Sequence, residues 1–269
     1  MDRVRCHPSL RWSRYHEGVP PGFVTIAARF CGPEHSGNGG YSAGLFAQAL
    51  GAGAGAGSSG AGTMAPEITL RRPPPLEHPL HIDDSSLASD ATVRVTADET
   101  VIAEVRWAAI DRSWPAGVAV PSFEQAQAWS RHFIGHGQHS FPHCFVCGTG
   151  RAVGDGLRIF PGRLGADGLV AAPWTPDPSV TDATRRVPPE ILWAALDCTG
   201  YFGVYRPGTP NALLGRMAAV LTDTVAAGEP CVVTGWGLGG EGRKRLAGTA
   251  LHGSDGRLVG WSRQVWITI

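Results

Sequence analysis

The chain has 269 residues, of which 43% are hydrophobic and 17% are charged, with 23 basic and 23 acidic side chains. This composition supplies enough apolar material for a core and excludes a wholly disordered chain. A neutral balance lacks the basic stripe typical of nucleic-acid-binding proteins and the polybasic cluster that anionic membranes attract, so we expect neither partner. No apolar run has the length of a membrane span, and the polar N-terminus does not resemble a signal peptide. We therefore expect a cytoplasmic protein.

The first half of the chain predicts one strand, one helix and several further strands. Residues 23–30 predict the strand, and residues 38–50 predict the helix, with Asn38 as its N-cap. The run GAGAGAGSSGAG at 51–62 has low complexity and predicts a flexible surface loop. Short apolar or alternating runs then predict strands at 67–71, 92–96 and 101–107.

The second half repeats this pattern after a connecting segment. Residues 122–135 predict a short helix capped by Ser122, and residues 136–154 predict an irregular loop. A more hydrophobic helix is expected at 191–205, after two prolines that its first turn tolerates. Strands are predicted at 156–160 and 168–172 before this helix, and at 213–224, 230–238, 245–252 and 258–269 after it.

This order is a weak internal repeat of strands and one central apolar helix. An antiparallel sheet wrapped around a single helix buries the apolar faces of both elements. The pattern therefore predicts an α+β fold of the double-hotdog type, with two antiparallel sheets that each wrap around one central helix. We divide the chain into an N-terminal arm at 1–18, a first hotdog domain at 19–120, a linker helix and loop at 121–154, and a second hotdog domain at 155–269.

Three segments together resemble one known family. Residues 39–50 (GGYSAGLFAQAL) predict a helix that opens with a glycine pair, and residues 195–197 (ALD) place an acid in the middle of an apolar helix. Residues 255–264 (DGRLVGWSRQ) predict a hairpin that ends in a glutamine. In this order they resemble the first helix, the helix with the catalytic aspartate, and the last hairpin of the double-hotdog acyl-CoA thioesterases of the acyl-CoA thioesterase II type. The whole chain is most similar to uncharacterised actinobacterial thioesterase-like proteins.

The resemblance implies hydrolysis of acyl-CoA or acyl-carrier-protein thioesters without a cofactor. Asp197 takes the place of the catalytic aspartate, where a buried acid can orient or activate water. Gln264 takes the place of the catalytic glutamine. The family also carries a Thr or Ser on the intervening strand, before an Asp-His pair. Thr222 is the candidate for that residue here, and Thr224 stands where the family has the histidine.

Four further residues are candidates for substrate binding. Asn38, Gly39 and Gly40 begin the first helix, where backbone N–H groups can hold a carbonyl oxygen or an anion. Close packing of the helix explains the glycine pair equally well, and we favour packing for it. Trp193 is expected either to line an aromatic pocket or to belong to the core.

The pair Cys144 and Cys147 forms a CxxC motif in the irregular loop. Two thiolates at this spacing could bind zinc if nearby histidines completed a tetrahedral site. The candidate histidines are His132, His136, His139 and His143. Because there is no second CxxC, we favour a turn with free thiols or a redox pair, and we assign neither a metal nor a cofactor.

Two other functions remain open at this stage. A non-catalytic hotdog protein could bind an acyl chain or another small hydrophobic ligand, and the departure around Thr222 keeps this alternative in place. An enoyl-CoA hydratase ranks third, because neither predicted helix carries the Asp and His that such hotdogs require. A double hotdog already resembles a pair of single-hotdog subunits, so we expect a monomer or a homo-oligomer.

Overall fold

The computed structural model describes residues 22–50, 57–59, 62–83, 92–111, 115–163 and 168–269. The predicted arm at 1–18 lies outside these residues. The α-helices are α1 (Gly39–Ala47), α2 (Phe123–Ser130), α3 (Pro189–Ala195) and α4 (Asp197–Val204). The strands are β1 (Phe23–Thr25), β2 (Gly57–Ser59), β3 (Gly62–Leu70), β4 (Pro79–Asp83), β5 (Thr92–Ala97), β6 (Thr100–Ile110), β7 (Gly162–Arg163), β8 (Val170–Trp174), β9 (Ala212–Leu221), β10 (Cys231–Glu241), β11 (Lys244–His252) and β12 (Leu258–Thr268). Among the helices of the described ranges, none has the length and apolar character that crossing a membrane requires.

The described strands form one antiparallel sheet in place of the two that the sequence predicts. Their order is β1-β4-β5-β6-β3-β9-β12-β11-β10-β8-β7, and β2 pairs with β3. The two halves of the chain meet where β3 pairs with β9, with Glu67 opposite Ala218. This pairing satisfies two strand edges that separate sheets would leave open. The α+β class is confirmed, and the four-part domain division stays a prediction.

Helix α1 begins where the sequence predicts. The side-chain oxygen of Asn38 accepts a hydrogen bond from the Tyr41 N–H at 2.9 Å, which makes Asn38 the N-cap. Every residue of α1 after the first is buried. Gly44 lets α1 lie directly against α3, because a Cβ atom there would be 2.6 Å from the Cβ of Trp193.

The second central helix is broken, which corrects the prediction of one helix at 191–205. Helix α3 begins with Pro189, and α4 begins with Asp197 after a junction at Leu196. At this junction the side-chain amide of Gln264 donates a hydrogen bond to the Leu196 carbonyl at 2.6 Å. Asp197 is therefore the first residue of a helix and does not lie in the middle of one.

Several predicted boundaries also move. The strand expected at 23–30 ends at Thr25, because residues 28–30 form a 3-10 turn. Strand β2 falls inside the loop predicted at 51–62, most of which lies outside the described residues. No strand forms at 156–160, because this segment bonds to the loop that carries the CxxC motif. The Leu157 N–H donates to the Phe145 carbonyl at 2.8 Å, and the Ile159 N–H donates to the Val146 carbonyl at 2.9 Å.

Candidate active site

A cavity of about 100 Å³ lies where the start of α1, the loop around the CxxC motif, α4, β9 and β12 meet. One water molecule needs roughly 10–15 Å³ of such space, so the cavity can hold several waters or the end of an apolar ligand. The polar residues of its lining include Asn38, His139, Asp197 and Tyr201, and the apolar ones include Ile134, Phe141, Phe202, Leu213, Leu214 and Trp266.

Asp197 is the acidic residue of this cavity, and it is only 1% exposed. Its Oδ2 accepts hydrogen bonds from the side-chain amide of Asn38 at 2.8 Å and from the Gly40 N–H at 3.0 Å. Its Oδ1 has no hydrogen-bond partner among the described residues. Burial raises the pKa of Asp197 from 3.8 to about 7. The hydrogen bond from the Gly40 N–H limits this rise, the nearby Cys144 increases the pKa further, and the hydrogen bond from Asn38 lowers it.

The start of α1 forms the wall opposite Asp197. Asn38 uses its amide oxygen to cap the helix and its amide N–H to hold Asp197, so one side chain fixes both elements. Gly40 permits the close approach, because a Cβ atom there would be 2.5 Å from the Cβ of Asp197. Gly39 lines the cavity, and its N–H, as the first of the helix, has no carbonyl partner within α1. The glycine pair thus serves close packing, as predicted, and also brings N–H groups to the cavity.

Gln264 is fully buried beside this site without touching the acid. Its amide nitrogen donates to the Leu196 carbonyl at 2.6 Å and to the Ser262 hydroxyl at 2.9 Å. Its amide oxygen accepts from the Trp266 indole N–H at 2.8 Å. Both amide hydrogens are therefore used within the protein, and within the described part of the chain Gln264 makes no hydrogen bond with Asp197. The side chain supports the junction from which Asp197 projects.

Neither Thr222 nor Trp193 lines the cavity. Thr222 is exposed just past the end of β9, and its hydroxyl donates to the Leu258 carbonyl at 2.6 Å. Trp193 is 3% exposed and packs where α3 meets Gly44 of α1. Trp193 is thus a core residue, the second of the two readings that the sequence allows.

Three buried thiols also converge on the cavity, of which sequence reasoning found two. The sulfur atoms of Cys144, Cys147 and Cys198 lie within 4.8 Å of one another. Hydrogen bonds from the thiols of Cys147 and Cys198 hold the pKa of Cys144 well below its usual value. Cys198 follows Asp197 directly, but no motif joins it to Cys144, which lies 54 residues earlier. His139 lines the cavity but is not a member of this cluster.

No protein-family model and no curated protein matches the chain. Its fold is similar to that of a protein from Novosphingobium aromaticivorans, provisionally named a thioesterase, with a TM-score of 0.57 and 12% identity over 92% of this chain and 94% of that one. It is also similar to the tesB protein of Mycobacterium avium subsp. paratuberculosis, with a TM-score of 0.53 and 15% identity over 92% of both chains. At these identities the likeness is one of fold, and it supports the predicted hotdog arrangement.

Proposed function

We propose that this protein hydrolyses acyl thioesters, of either coenzyme A or an acyl-carrier protein, with Asp197 as the catalytic base. The observation that carries the proposal is the position of the Asp197 carboxylate. It is buried beside a cavity that can hold water. One oxygen is fixed by Asn38 and Gly40, and the other has no partner within the part of the chain that the structure describes. The similarity of fold to proteins with thioesterase names supports the same choice.

The reaction needs a water molecule aimed at the thioester carbonyl carbon and a donor for the oxygen that becomes negative. Oδ1 of Asp197 accepts a proton from the water as its oxygen bonds to the carbonyl carbon. The Gly39 N–H, at the start of α1, donates to the carbonyl oxygen in the tetrahedral intermediate. The carbon–sulfur bond then breaks, and the proton held by Asp197 passes to the thiolate that leaves. The products are a carboxylic acid and a free thiol.

The other residues of the cavity have binding or positioning roles in this proposal. The apolar side chains of Phe141, Leu213 and Leu214 suit an acyl chain. Gln264 acts as a positioning residue through the Leu196 carbonyl. Thr222 and Trp193 have no role in the reaction.

The test offers a panel of acyl-CoAs to the wild-type protein and to the Asp197→Asn variant, and it measures the rate at which each releases free thiol. The asparagine keeps the size of the side chain and can accept the same two hydrogen bonds through its oxygen, but it cannot take the proton. We expect the variant to lose about 100- to 10,000-fold in kcat, the range for removal of a general base, with little change in thermal stability.

Asp98→Asn is the matched control, because the side chain of Asp98 is 83% exposed on the surface. We expect it to keep wild-type turnover. Equal turnover by Asp197→Asn would contradict the role of the carboxylate. Binding of acyl-CoAs by the wild-type protein without thiol release would favour the non-catalytic binding function.

A further inference from the structure

The three thiols at the cavity have the geometry of a metal site. The sulfur atoms of Cys144 and Cys198 are 3.7 Å apart. A disulfide requires about 2.05 Å, whereas two sulfurs bound to one tetrahedral zinc ion at about 2.3 Å lie about 3.8 Å from each other. Cys147 lies within 4.8 Å of both. The cluster is therefore spaced as the ligands of a single ion.

The protein backbone holds the two thiols of the CxxC motif in place. The Gly148 N–H donates to the Cys144 carbonyl at 2.9 Å and closes the turn. The Phe145 N–H donates to the Cys31 carbonyl at 2.7 Å and attaches this turn to the first half of the chain. Cys198 is fixed separately, in the first turn of α4. Sites that bind metal tightly have ligands supported in this way by their surroundings.

The polar atoms around the thiols also suit a bound cation. The side-chain N–H of Asn38 points to the sulfurs of Cys144 and Cys198, at 3.8 and 3.9 Å, as a donor to thiolates. Oδ1 of Asp197 is buried and has no hydrogen-bond partner among the described residues, whereas His139 uses its Nδ1 to accept from the Phe141 N–H at 3.0 Å. Both residues and all three cysteines line the same cavity. A buried polar atom without a protein partner is satisfied by a bound water, ligand or ion.

We propose that Cys144, Cys147 and Cys198 bind one Zn²⁺ ion, with the fourth coordination position directed to the cavity. Thiolates are soft ligands, and three of them in a compact buried cluster favour zinc over magnesium, calcium or manganese. Binding requires all three cysteines as thiolates and releases the protons that their sulfur atoms still carry. The proposal does not depend on thioester hydrolysis, and its test measures metal content instead of turnover.

The test uses the full-length protein purified under reducing conditions, supplied with Zn²⁺ and separated from free metal. We expect one zinc ion per chain by elemental analysis. Changes to residues around a metal site cost about 10- to 100-fold in affinity, so we expect Cys198→Ser to weaken zinc binding at least about 100-fold in competition with a chromophoric chelator. Co²⁺ in place of zinc should give sulfur-to-cobalt charge-transfer absorption that weakens in this variant.

Cys231→Ser is the matched control, because Cys231 is also a fully buried free cysteine but lies in β10, outside the cluster. It should bind zinc as the wild type does. If Cys198→Ser fails to fold, Cys147→Ser in the loop replaces it, with the same expected loss. The proposal is overturned if the wild-type protein holds no stoichiometric zinc, or if both cluster variants bind zinc as tightly as the wild type.

Discussion

Replacing Gln264 by methionine separates a supporting role from a catalytic one. Methionine is close to glutamine in size, so packing is nearly kept while three buried hydrogen bonds are lost, to Leu196, Ser262 and Trp266. At about 0.5–1.5 kcal/mol for each bond, we expect a loss of about 3 kcal/mol in the free energy of unfolding. With a urea m-value of about 3 kcal/mol per M, the midpoint of urea unfolding falls by about 1 M.

The assay is urea unfolding followed by tryptophan fluorescence, with thiol release measured on the folded variant. Arg263→Gln serves as the control, since Arg263 is the neighbouring residue on the exposed face of β12. Its contact with the buried Glu67 is 3.6 Å long, and Glu67 keeps its closer partner Arg106 at 2.7 Å. A Gln264→Met protein with wild-type stability and no turnover would refute the reasoning. That result would make Gln264 a catalytic residue in its own right.

Two further substitutions test the packing and the electrostatics. Gly44→Ala places a Cβ atom 2.6 Å from the Cβ atom of Trp193. We expect this overpacking to lower the free energy of unfolding by about 1–3 kcal/mol. Thermal unfolding measures the loss, and an unchanged midpoint would contradict the expectation. Arg257 bonds to Asp223 and Glu229 at 2.7 Å each. The pKa of Asp223 is lowered by a backbone N–H and by Arg257, and that of Glu229 is lowered by Arg257 despite burial. A carboxylate whose pKa is lower in the folded protein stabilises the fold when the pH is above its pKa in the unfolded chain, which is 3.8 for Asp223 and 4.5 for Glu229. This stabilisation is lost as the pH falls through the pKa of the folded state. We therefore expect Arg257→Gln to lower the free energy of unfolding by on the order of 1–2 kcal/mol at neutral pH, and by progressively less below about pH 4. The midpoints of urea unfolding of the wild type and the variant, compared between pH 7 and 3, measure this. A difference that stays constant with pH would contradict the stabilising role of these ion pairs.

The sequence predicts the helix starts well, because the atoms that define them are close in the chain. Asn38 caps α1 through a residue three positions later. Ser122 and Gln125 form a reciprocal capping box at the start of α2, again three positions apart. The break between α3 and α4 has no such local signal. It coincides with a hydrogen bond from Gln264, which lies 68 residues beyond Leu196.

The site residues, too, could be predicted where the signal lies close by in the sequence and not where it depends on distant residues. Asp197 was predicted from the family resemblance together with local contrast, because an acid in an apolar run needs a special environment. Thr222 lies outside the cavity lining, and because β9 ends at Leu221 the alternation of strand faces does not apply to it. Trp193 could not be placed from sequence, because α3 is buried on every side after Pro189 and has no polar face to orient it. Cys198 was missed because only the fold brings it to the CxxC motif.

The site is assembled from the first half of the chain, the connecting loop and the second half. The first helix supplies the side-chain amide of Asn38 and the N–H of Gly40. The connecting loop supplies Cys144 and its partner in the CxxC motif, and the second half supplies Asp197 and the adjacent thiol. A buried carboxylate needs hydrogen-bond donors, and the start of α1 supplies the two that Asp197 accepts. The pairing of β3 with β9 holds the side that supplies the donors and the side that supplies the acid in one sheet.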